Sequence, residues 1–394
     1  MGDYTDIIVV GSGPVGLTFA RQFKDSSLKV SVIEKSPLET IENPPFDGRE
    51  VALTHFTKNY LQDSGIWALI PEDKIYPLKQ AKIINGNSDY QLYFQQPTQA
   101  RGQPIDRLGF LVSNCDVRKA CYKSVKDLSN IDLINGVTVE DVQINEQEVT
   151  TQLSNGKKLN AQLLVCADGR FSSIRQKIGI PVDTHQFGRT VICFRMKHEL
   201  SNEHTAFECF HYGRTLAILP LEKNLSSIVI TIDTNLADNI INMTPEELAQ
   251  DIYRETKGKL GYLTQVSEKN SYSLVGVHAR RFYDQRCALI GDAAVGMHPV
   301  TAHGFNLGIE SVAHLSGLIL EANYRGKNIA RETLLERYNL KHQTKTRVLY
   351  HGTNFVVKLF TNEAVPAKFL RNALLRISNH VDPIKQLISK QLTS

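Results

Sequence analysis

A glycine-rich loop near the N-terminus constrains the possible folds of this chain more than any other feature. Residues 6–10 form an apolar run of buried-strand type, and directly after it comes Gly11-Ser12-Gly13-Pro14-Val15-Gly16. In this G-x-G-x-x-G spacing the first glycine allows a tight turn, the second lets the backbone approach a pyrophosphate, and the third lets helix and strand pack closely. Apolar residues then continue at helical spacing, and a proline is tolerated in the first turn of a helix. The pattern predicts a strand–loop–helix unit that binds a dinucleotide.

The next strand supports this prediction. It runs from Lys29 to Ile33 and ends in Glu34, twenty-three residues after Gly11. An acid at this position is placed to bind a ribose 2′-hydroxyl. Because a carboxylate would repel a 2′-phosphate, FAD or NAD fits this loop better than NADP.

Two more predicted strands end in a turn that carries an acid. Residues 163–166 run into Asp168-Gly169, and residues 288–290 run into Gly291-Asp292, after which a helix is predicted to start near Asn306. A carboxylate at such a strand end can bind a sugar or ribityl hydroxyl, and a helix N-terminus directs backbone N–H groups at an electron-rich partner. Taken alone, either segment is also an ordinary turn between a strand and a helix.

Together these segments resemble the class A FAD-dependent monooxygenases along nearly the whole chain, with Asp168-Gly169 as that family's Asp-Gly fingerprint. Within the family the chain is similar to the branch that hydroxylates rings in ubiquinone biosynthesis. The segments that carry this likeness are residues 47–53, 61–67, 108–118 and 291–308. After His298-Pro299 the chain reads Val-Thr-Ala-His-Gly-Phe-Asn, where many members read Ala-Gly-Gln-Gly-Leu-Asn. That variant resembles a smaller subgroup proposed to hydroxylate the quinone ring, and it leaves the substrate and the ring position open.

The resemblance implies a para-hydroxybenzoate hydroxylase-like α/β fold, with a Rossmann-like FAD-binding domain, an inserted mainly antiparallel β substrate domain and a helical C-terminus. Apolar and polar residues alternate through much of 180–280, which is typical of an antiparallel sheet. We also expect strands near 131–139, 142–152 and 158–166, a helix near 114–127, and a helix capped by Thr244. The predicted domains are 1–72 with 108–180 and 281–325 for FAD, 73–107 with 181–280 for substrate, and 326–394 as a basic helical segment.

The resemblance also implies which residues bind the cofactor. They are Gly11, Gly13, Pro14, Val15, Gly16, Glu34, Lys35, Arg49, Arg118, Val139, Asp168, Asp292, Gly304, Phe305 and Asn306. Arg49 and Arg118 would contact phosphate or the edge of the ribityl and isoalloxazine groups. The backbone N–H groups of Phe305 and Asn306 would face flavin N1 and O2 and stabilise the reduced ring. The structural alternatives are surface salt bridges for the two arginines and a helix cap for Asp168.

The same likeness implies the reaction. The chain has no second G-x-G-x-x-G, so NAD(P)H would bind transiently, reduce the flavin and leave. Reduced flavin would then take O₂ to give a C4a-hydroperoxide, which transfers oxygen to a phenol or benzoquinol ring. Pro299 would border the flavin near N5, and His298 and His303 are candidate bases, although a lone histidine is more often structural. No cluster has metal-ligand spacing, so no metal is expected.

The substrate implied by the branch is a polyprenyl phenol or benzoquinol in ubiquinone biosynthesis. Two other functions remain open from the residues. One is an FAD-dependent reductase or dehydrogenase that acts on an isoprenoid or lipid. The other is a non-catalytic flavoprotein subunit of a quinone-biosynthesis complex, against which the intact set of Glu34, Asp168 and Asp292 argues.

The composition of the chain indicates the cellular compartment in which it works. The chain is 42% hydrophobic and 22% charged, as in soluble globular proteins, and no apolar run approaches the about 20 residues of a membrane span. The N-terminus shows no signal peptide, and the six cysteines form no C-x-x-C pair. We therefore expect reduced, buried cysteines and a cytoplasmic protein.

The C-terminus is basic. Residues 324–394 carry thirteen Lys or Arg and four Asp or Glu, a net charge of +9, with apolar residues between the charges. Such a segment is either a helix pair packed on the body or a peripheral contact with anionic lipid at the inner face of the membrane, or with a partner of a quinone-biosynthesis complex. Nucleic acid is not expected, because no stacking motif accompanies the charge.

Overall fold

A computed structural model describes residues 3–85, 91–94, 99–100, 103–104, 106–211, 213–298 and 303–361. Its helices are α1 (Pro14–Arg21), α2 (Leu38–Glu42), α3 (His55–Asp63), α4 (Asn114–Val125), α5 (Ser173–Lys177), α6 (Ala237–Ile241), α7 (Pro245–Glu255), α8 (His303–Tyr324) and α9 (Glu332–Thr361). Short 3₁₀ turns lie at Trp67–Leu69, Glu72–Lys74, Thr234–Leu236 and Gly291–Ala293.

The strands of the described residues fall into four sheets. In the first half of the chain they are β1 (Asp3–Val10), β2 (Val30–Glu34), β3 (Glu50–Leu53), β4 (Tyr76–Leu78), β5 (Gln80–Asn85), β6 (Gln91–Phe94), β7 (Gln99–Ala100), β8 (Gln103–Pro104), β9 (Gly109–Ser113), β10 (Ile131–Asn135), β11 (Val139–Ile144), β12 (Val149–Leu153) and β13 (Lys158–Cys166). The others are β14 (Val182–His198), β15 (Thr205–His211), β16 (Arg214–Pro220), β17 (Leu225–Asp233), β18 (Leu263–Gln265), β19 (Asn270–Ala279), β20 (Tyr283–Asp284), β21 (Cys287–Leu289) and β22 (Val295–Gly296).

The first sheet is the nucleotide-binding frame. Its parallel strands lie in the order β10-β2-β1-β13, and β21 runs parallel beside the second half of β13. The register places Val10 beside both Ile33 and Cys166, and Cys166 beside Leu289. The strands therefore end in one row, and the turns that follow them share the carboxyl edge of the sheet, where α/β folds bind ligands.

The second sheet lies in the order β22-β19-β14-β17-β16-β15-β5-β6, with β18 also beside β14. Its pairs are antiparallel except for β15 with β5. One face packs on α6 and α7, with a core that includes Ile192, Phe194, Ile230, Leu248 and Ile252. The other face contacts the small sheet β3-β9-β4 through an apolar cluster that includes Leu111 and Leu219.

These sheets and the C-terminal helices confirm the predicted fold class, and the Thr244 cap of α7 is confirmed with a complete capping box. The single strand predicted near 142–152 was wrong, because β11 and β12 form a hairpin there. Asn145 turns the chain, since its side-chain oxygen accepts the N–H groups of Gln147 and Glu148 at 2.8 and 2.9 Å. The strand predicted over 131–139 is also interrupted, at Gly136 with φ +69°. The domain boundaries stay a prediction.

The remaining expectations concern the cysteines and the C-terminus. All six cysteines are free, and all but the half-buried Cys115 are buried. The helix expected near Asn306 has already begun at His303, so Gly304, Phe305 and Asn306 belong to its first turn. Among the residues that the structure describes, no helix combines the length and the apolarity needed to cross a membrane. The basic segment from residue 362 onward lies outside the described residues.

Candidate active site

The glycine loop between β1 and α1 is tight on one side and open on the other. Gly11 has φ +108°, and a Cβ there would lie 2.4 Å from the Ala167 carbonyl oxygen. A Cβ on Gly16 would lie 2.0 Å from the Gly11 carbonyl oxygen, whereas a Cβ on Gly13 would have no neighbour within 4 Å. Gly13 caps α1, with Pro14 in the first turn. The N-terminus of α1, with its free amides and the positive end of its dipole, is therefore open to a ligand on the side of Gly13. Pyrophosphate binding requires such an arrangement.

Glu34 stabilises this loop directly. Its carboxylate accepts hydrogen bonds from the Ser12 N–H at 2.8 Å, the Ser12 hydroxyl at 2.9 Å and the Ser36 N–H at 2.9 Å. Burial acts to raise the pKa of Glu34, but these hydrogen bonds outweigh it and hold the pKa below its ordinary value. Oε1 receives one of the three bonds, so a further acceptor position is left for a ribose hydroxyl.

Lys35 and Val139 flank this end of the sheet. Lys35 is exposed, and Val139 is buried at the start of β11. The connection before Val139 is held to Glu34, because the Val137 N–H donates to the Glu34 carbonyl at 3.1 Å. Lys35 therefore directly follows Glu34, and Val139 lies two residues beyond the N–H group that is bonded to Glu34.

Val15 is the point where three motifs meet. An ideal Cβ on Gly291 would lie 3.0 Å from Val15 Cγ1, and one on Gly308 would lie 2.7 Å from Val15 Cγ2. The glycine loop, the Gly291-Asp292 turn and the start of α8 consequently pack together, although about 275 residues separate the first from the others in sequence. Only glycine fits at both contacts, and Gly291 also needs its φ of +58°.

Asp292 has a partner that the sequence analysis missed. Arg170 donates to Asp292 Oδ2 at 3.1 Å and to the Val275 carbonyl of β19 at 2.6 Å. The buried Arg175 donates to the Ala293 carbonyl at 2.8 Å and to the Arg170 carbonyl at 3.1 Å. Two arginines thus join the Asp-Gly turn to the Gly-Asp turn and to the second sheet. The only signal in the sequence was the position of Arg170 directly after Asp168-Gly169.

Asp168 supports the start of α5, whose N-cap residue is Ser172. Its Oδ2 accepts the Ile174 N–H at 3.2 Å, at the start of α5. Its Oδ1 is buried and has no hydrogen-bond partner among the described residues. Since a buried acceptor without a partner is costly, this oxygen is available to a hydroxyl donor of a bound molecule.

The two predicted arginines differ in their contacts. Arg49 forms an ion pair with Asp47 at 2.5 Å, and Asp47 also accepts from the Asn114 amide at 2.7 Å. Burial would raise the pKa of Asp47, but the Arg49 guanidinium outweighs it and lowers the pKa. Arg118 lies one turn after Asn114 on α4, is half-buried, and has no charge partner among the described residues. The salt-bridge alternative is therefore realised for Arg49 and not for Arg118.

The first turn of α8 holds the last three of the predicted cofactor-binding residues. Amides in the first turn of a helix have no carbonyl partner within the helix, and a Cβ on Gly304 would have no neighbour within 4 Å. Phe305 is half-buried on the main core. The Asn306 side chain holds β3, because it accepts the Thr54 N–H at 3.0 Å and donates to the Ala52 carbonyl at 2.8 Å.

His298 and His303, the predicted candidate bases, are less well suited to catalysis than the preceding residues are to cofactor binding. His298 is 5% exposed, and its ring lies 4.9 Å from the Phe187 ring. Burial, with the charges of Arg189 and Arg170, lowers the pKa of His298 to about 4, far from the range that suits a base near neutral pH. His303 is half-buried at the start of α8. Pro299 lies outside the described residues.

These residues fit FAD. The open glycines at the starts of α1 and α8 would hold pyrophosphate and flavin, Glu34 the adenosine ribose, and Asp168 Oδ1 and Asp292 the hydroxyls between them. In the described part of the chain no group of His, Cys, Asp and Glu side chains is arranged to hold a metal ion.

Comparison with known proteins identifies the family of this chain. The family model described as the FAD binding domain matches residues 4–349. Ubiquinone hydroxylase UbiM of Neisseria meningitidis is 53% identical over 100% of this chain and 85% of the relative, and ubiquinone hydroxylase UbiL of Rhodospirillum rubrum is 29% identical over 98% and 88%.

Among solved structures, p-nitrophenol 4-monooxygenase PnpA from Pseudomonas putida superposes with a TM-score of 0.79 at 18% identity, covering 100% of this chain and 99% of the other. At that identity the likeness supports the fold alone. The family match and the identity to UbiM go further, because both extend over nearly all of the chain. This chain therefore belongs to the FAD-binding domain family and is an FAD-dependent monooxygenase of class A.

Proposed function

We propose that this protein hydroxylates the ring of a polyprenyl phenol or benzoquinol in ubiquinone biosynthesis, using NAD(P)H and O₂. The observation that carries the proposal is the joining of the glycine loop, Asp292 and α8 around Val15, in a chain 53% identical to a ubiquinone hydroxylase over its full length. When bound, FAD supplies the redox chemistry, by passing electrons from NAD(P)H to O₂.

The chain's own residues would position the cofactor, stabilise its charge and keep water away from it. The first turn of α8 would direct backbone N–H groups at the place where a reduced ring carries negative charge. Arg49, although paired with Asp47, also interacts electrostatically with Asp292. The second sheet carries an apolar cluster of Val191, Cys193 and Leu274, and Cys193 lies against Gly48, next to Arg49. Exclusion of water there would protect the activated oxygen and strengthen each electrostatic contact.

The test is deletion of the gene in its host, followed by mass spectrometry of the quinones. We expect a ubiquinone precursor that lacks a ring hydroxyl to accumulate, and ubiquinone to return when the wild-type gene is restored. In vitro, the FAD-bound protein should add one oxygen atom to a prenylphenol. Rapid oxidation of NADH under O₂ without hydroxylated product would instead identify a reductase. A chain that stays free of flavin, and only stabilises a partner, would contradict an enzymatic role.

Asp292 offers a test of cofactor binding. We expect Asp292→Ala to weaken FAD affinity roughly ten- to a hundredfold, because a charge-assisted hydrogen bond contributes about 1.5–3 kcal/mol. FAD titration followed by flavin fluorescence measures this. Asp183→Ala is the matched control, since Asp183 also loses an exposed ion pair, with Arg280 at 3.0 Å, on a strand of the second sheet. Equal FAD affinity of the two variants would place Asp292 away from the cofactor.

For the substrate's delivery we propose a peripheral contact with an anionic membrane through α9 and the basic segment that follows it. One side of α9 exposes Leu340 by 61%, Val348 by 70% and Phe355 by 60%. Arg337 and Lys341 share that side, given 100° per residue. Apolar side chains between basic ones are typical of a helix that lies in a lipid interface.

We expect vesicles that contain anionic lipid to co-sediment the FAD-bound protein, with binding that falls as salt rises, since screening acts over about 8 Å at physiological ionic strength. Arg337→Gln with Lys341→Gln should weaken this binding, at about 1 kcal/mol per charge. Lys123→Gln with Lys126→Gln, at the C-terminal end of α4, is the control of equal charge. Equal binding to neutral vesicles, or none to anionic ones, would leave delivery to a partner protein.

A further inference from the structure

The second sheet carries a carboxyl group, that of Glu208, for which the described residues offer no hydrogen-bond or ion-pair partner. Glu208 on β15 pairs with Ala217 on β16, Ala217 with Val229 on β17, and Val229 with Cys193 on β14. Residues that pair across strands project to the same face of a sheet. Glu208 therefore belongs to a row of four residues that ends at Cys193, over three strand spacings or about 14 Å.

This row lies on the face turned toward the FAD-binding side. The opposite face is filled by Ile192, Phe194 and the helices α6 and α7. Cys193 lies instead against Gly48, where an ideal Cβ would be 3.0 Å from the Cys193 Cβ, and its Sγ is 3.8 Å from the Tyr272 hydroxyl. Arg195, two residues along the same strand, pairs with Glu50 of β3 at 2.6 Å. Cys193 is buried, whereas Glu208, Ala217 and Val229 are half-buried, so the row runs from β3 along a partly open face of the sheet.

In the part of the chain that the structure describes, no charged group pairs with Glu208. On β5, the neighbouring Lys82 lies over the Phe207 ring, 5.6 Å from its centre, on the helix-covered face. Cys209 lies on that same face. Arg214, at the start of β16, pairs with Asp251 and Glu255 of α7. Glu208 is half-buried, and loss of contact with solvent raises the pKa of its carboxyl to about 8.

We propose that Glu208 is a catalytic base that accepts the proton of the substrate's ring hydroxyl. The inference rests on the proposed ring hydroxylation. In this step the hydroxyl O–H bond breaks and a carboxyl O–H bond forms, while the negative charge moves from the carboxylate to the ring oxygen. No electron is gained or lost in the step. The ionised oxygen makes the ring more electron-rich and hence more reactive toward the oxygen that FAD activates.

The alternative base, His298, matches this task less well. Its pKa of about 4 is far below that of a phenol, whereas a carboxyl that titrates near 8 is close to both the operating pH and the ring hydroxyl. General-base catalysis is most effective when the pKa of the base is close to the operating pH. The other members of the row, Ala217, Val229 and Cys193, are apolar, so the surface beside Glu208 suits contact with a prenylated ring.

The experiment measures kcat against pH for the FAD-bound enzyme, with NADH, O₂ and a phenol that carries one isoprenoid unit. The hydroxylated product is quantified by mass spectrometry. In the wild type, kcat should rise with pH through about 8. Glu208→Gln should lower kcat roughly a hundredfold or more and abolish this rise. Glu208→Asp should restore part of both. Glu203→Gln, which removes an exposed carboxylate just before the same strand, should keep the wild-type profile.

A second substrate separates catalysis from structure. A ring-fluorinated version of the phenol, with the reacting position free, ionises at lower pH and needs the base less. The defect of Glu208→Gln should therefore shrink on this substrate, which a folding defect would not do. A wild-type pH profile in Glu208→Gln, or an equal defect on both substrates, overturns the inference. Absence of hydroxylated product from the wild type overturns the proposed function itself.

Discussion

Gly16→Ala should leave a protein that does not retain FAD and whose free energy of unfolding is lower by more than about 3 kcal/mol. The added Cβ would lie 2.0 Å from the Gly11 carbonyl oxygen and 3.2 Å from the Ala167 Cβ. Both neighbours belong to the ends of β1 and β13, in the centre of the parallel sheet, so neither can move without disturbing the core. Urea unfolding and the flavin absorbance of the purified protein measure the two effects.

Gly13→Ala is the matched comparison within the same loop. Its Cβ would have no neighbour within 4 Å, so the fold should lose no more than about 1 kcal/mol. The methyl group would nevertheless stand at the N-terminus of α1, where the pyrophosphate must approach the backbone, and FAD affinity should fall roughly tenfold or more. If Gly13→Ala bound FAD normally, or if Gly16→Ala were as stable as the wild type, the assignment of the loop would be wrong.

The parts of the site that sequence predicts well are those fixed by local constraints. The spacing of Gly11, Gly13 and Gly16 after an apolar strand, with Glu34 at the end of the next strand, already defines a parallel pair and its loop. The register of the parallel strands then determines where the acids that follow them lie. Because Val10, Ile33, Cys166 and Leu289 end in one row, the acids after three of these strands must share one edge.

The parts that sequence predicts poorly depend on distant partners. Arg170 reaches Asp292 across 122 positions, and no periodicity signals such a pair. Glu208 looks like one acid in a strand until the pairing shows that its face is the one away from α6 and α7. Asn306 was placed by the family likeness through its backbone, yet its side chain also fastens β3 to α8. Each depends on which strands become neighbours, which a single sequence does not state.

The fold should also be sensitive to acid, because histidines are buried between the second sheet and the C-terminal helices. His342 of α9 is 1% exposed, and its ring lies 5.7 Å from that of His314 on α8. Neither ring nitrogen of His342 has a partner in the described part of the chain. His278 of β19 is also buried, with Nε2 at 3.3 Å from the Thr346 hydroxyl.

Burial lowers the pKa of His278 and of His314 to about 4 and that of His342 to about 3, from an ordinary value of 6.5. Nearby positive charges act in the same direction, from Lys341 and Lys345 on His314 and from Arg347 on His278. The folded protein thus holds these rings neutral, while the unfolded chain takes up protons below pH 6.5. Stability is therefore fully present above pH 6.5 and is lost as pH falls toward 4. By about pH 5 the three groups together should lower the free energy of unfolding by on the order of 5 kcal/mol.

A single substitution tests this directly. His342→Phe keeps a flat ring beside Tyr338 and Phe282 and removes two nitrogens that lack partners. Urea unfolding of the FAD-bound protein should show the variant more stable than the wild type by about 2 kcal/mol near pH 5, with a smaller difference near pH 7.5. Tyr324→Phe, at an exposed position on α8, should keep the wild-type loss of stability between these pH values. If the two variants and the wild type lost stability equally on acidification, groups other than these histidines would control it, and the packing of α9 on the sheet would not depend on their remaining neutral.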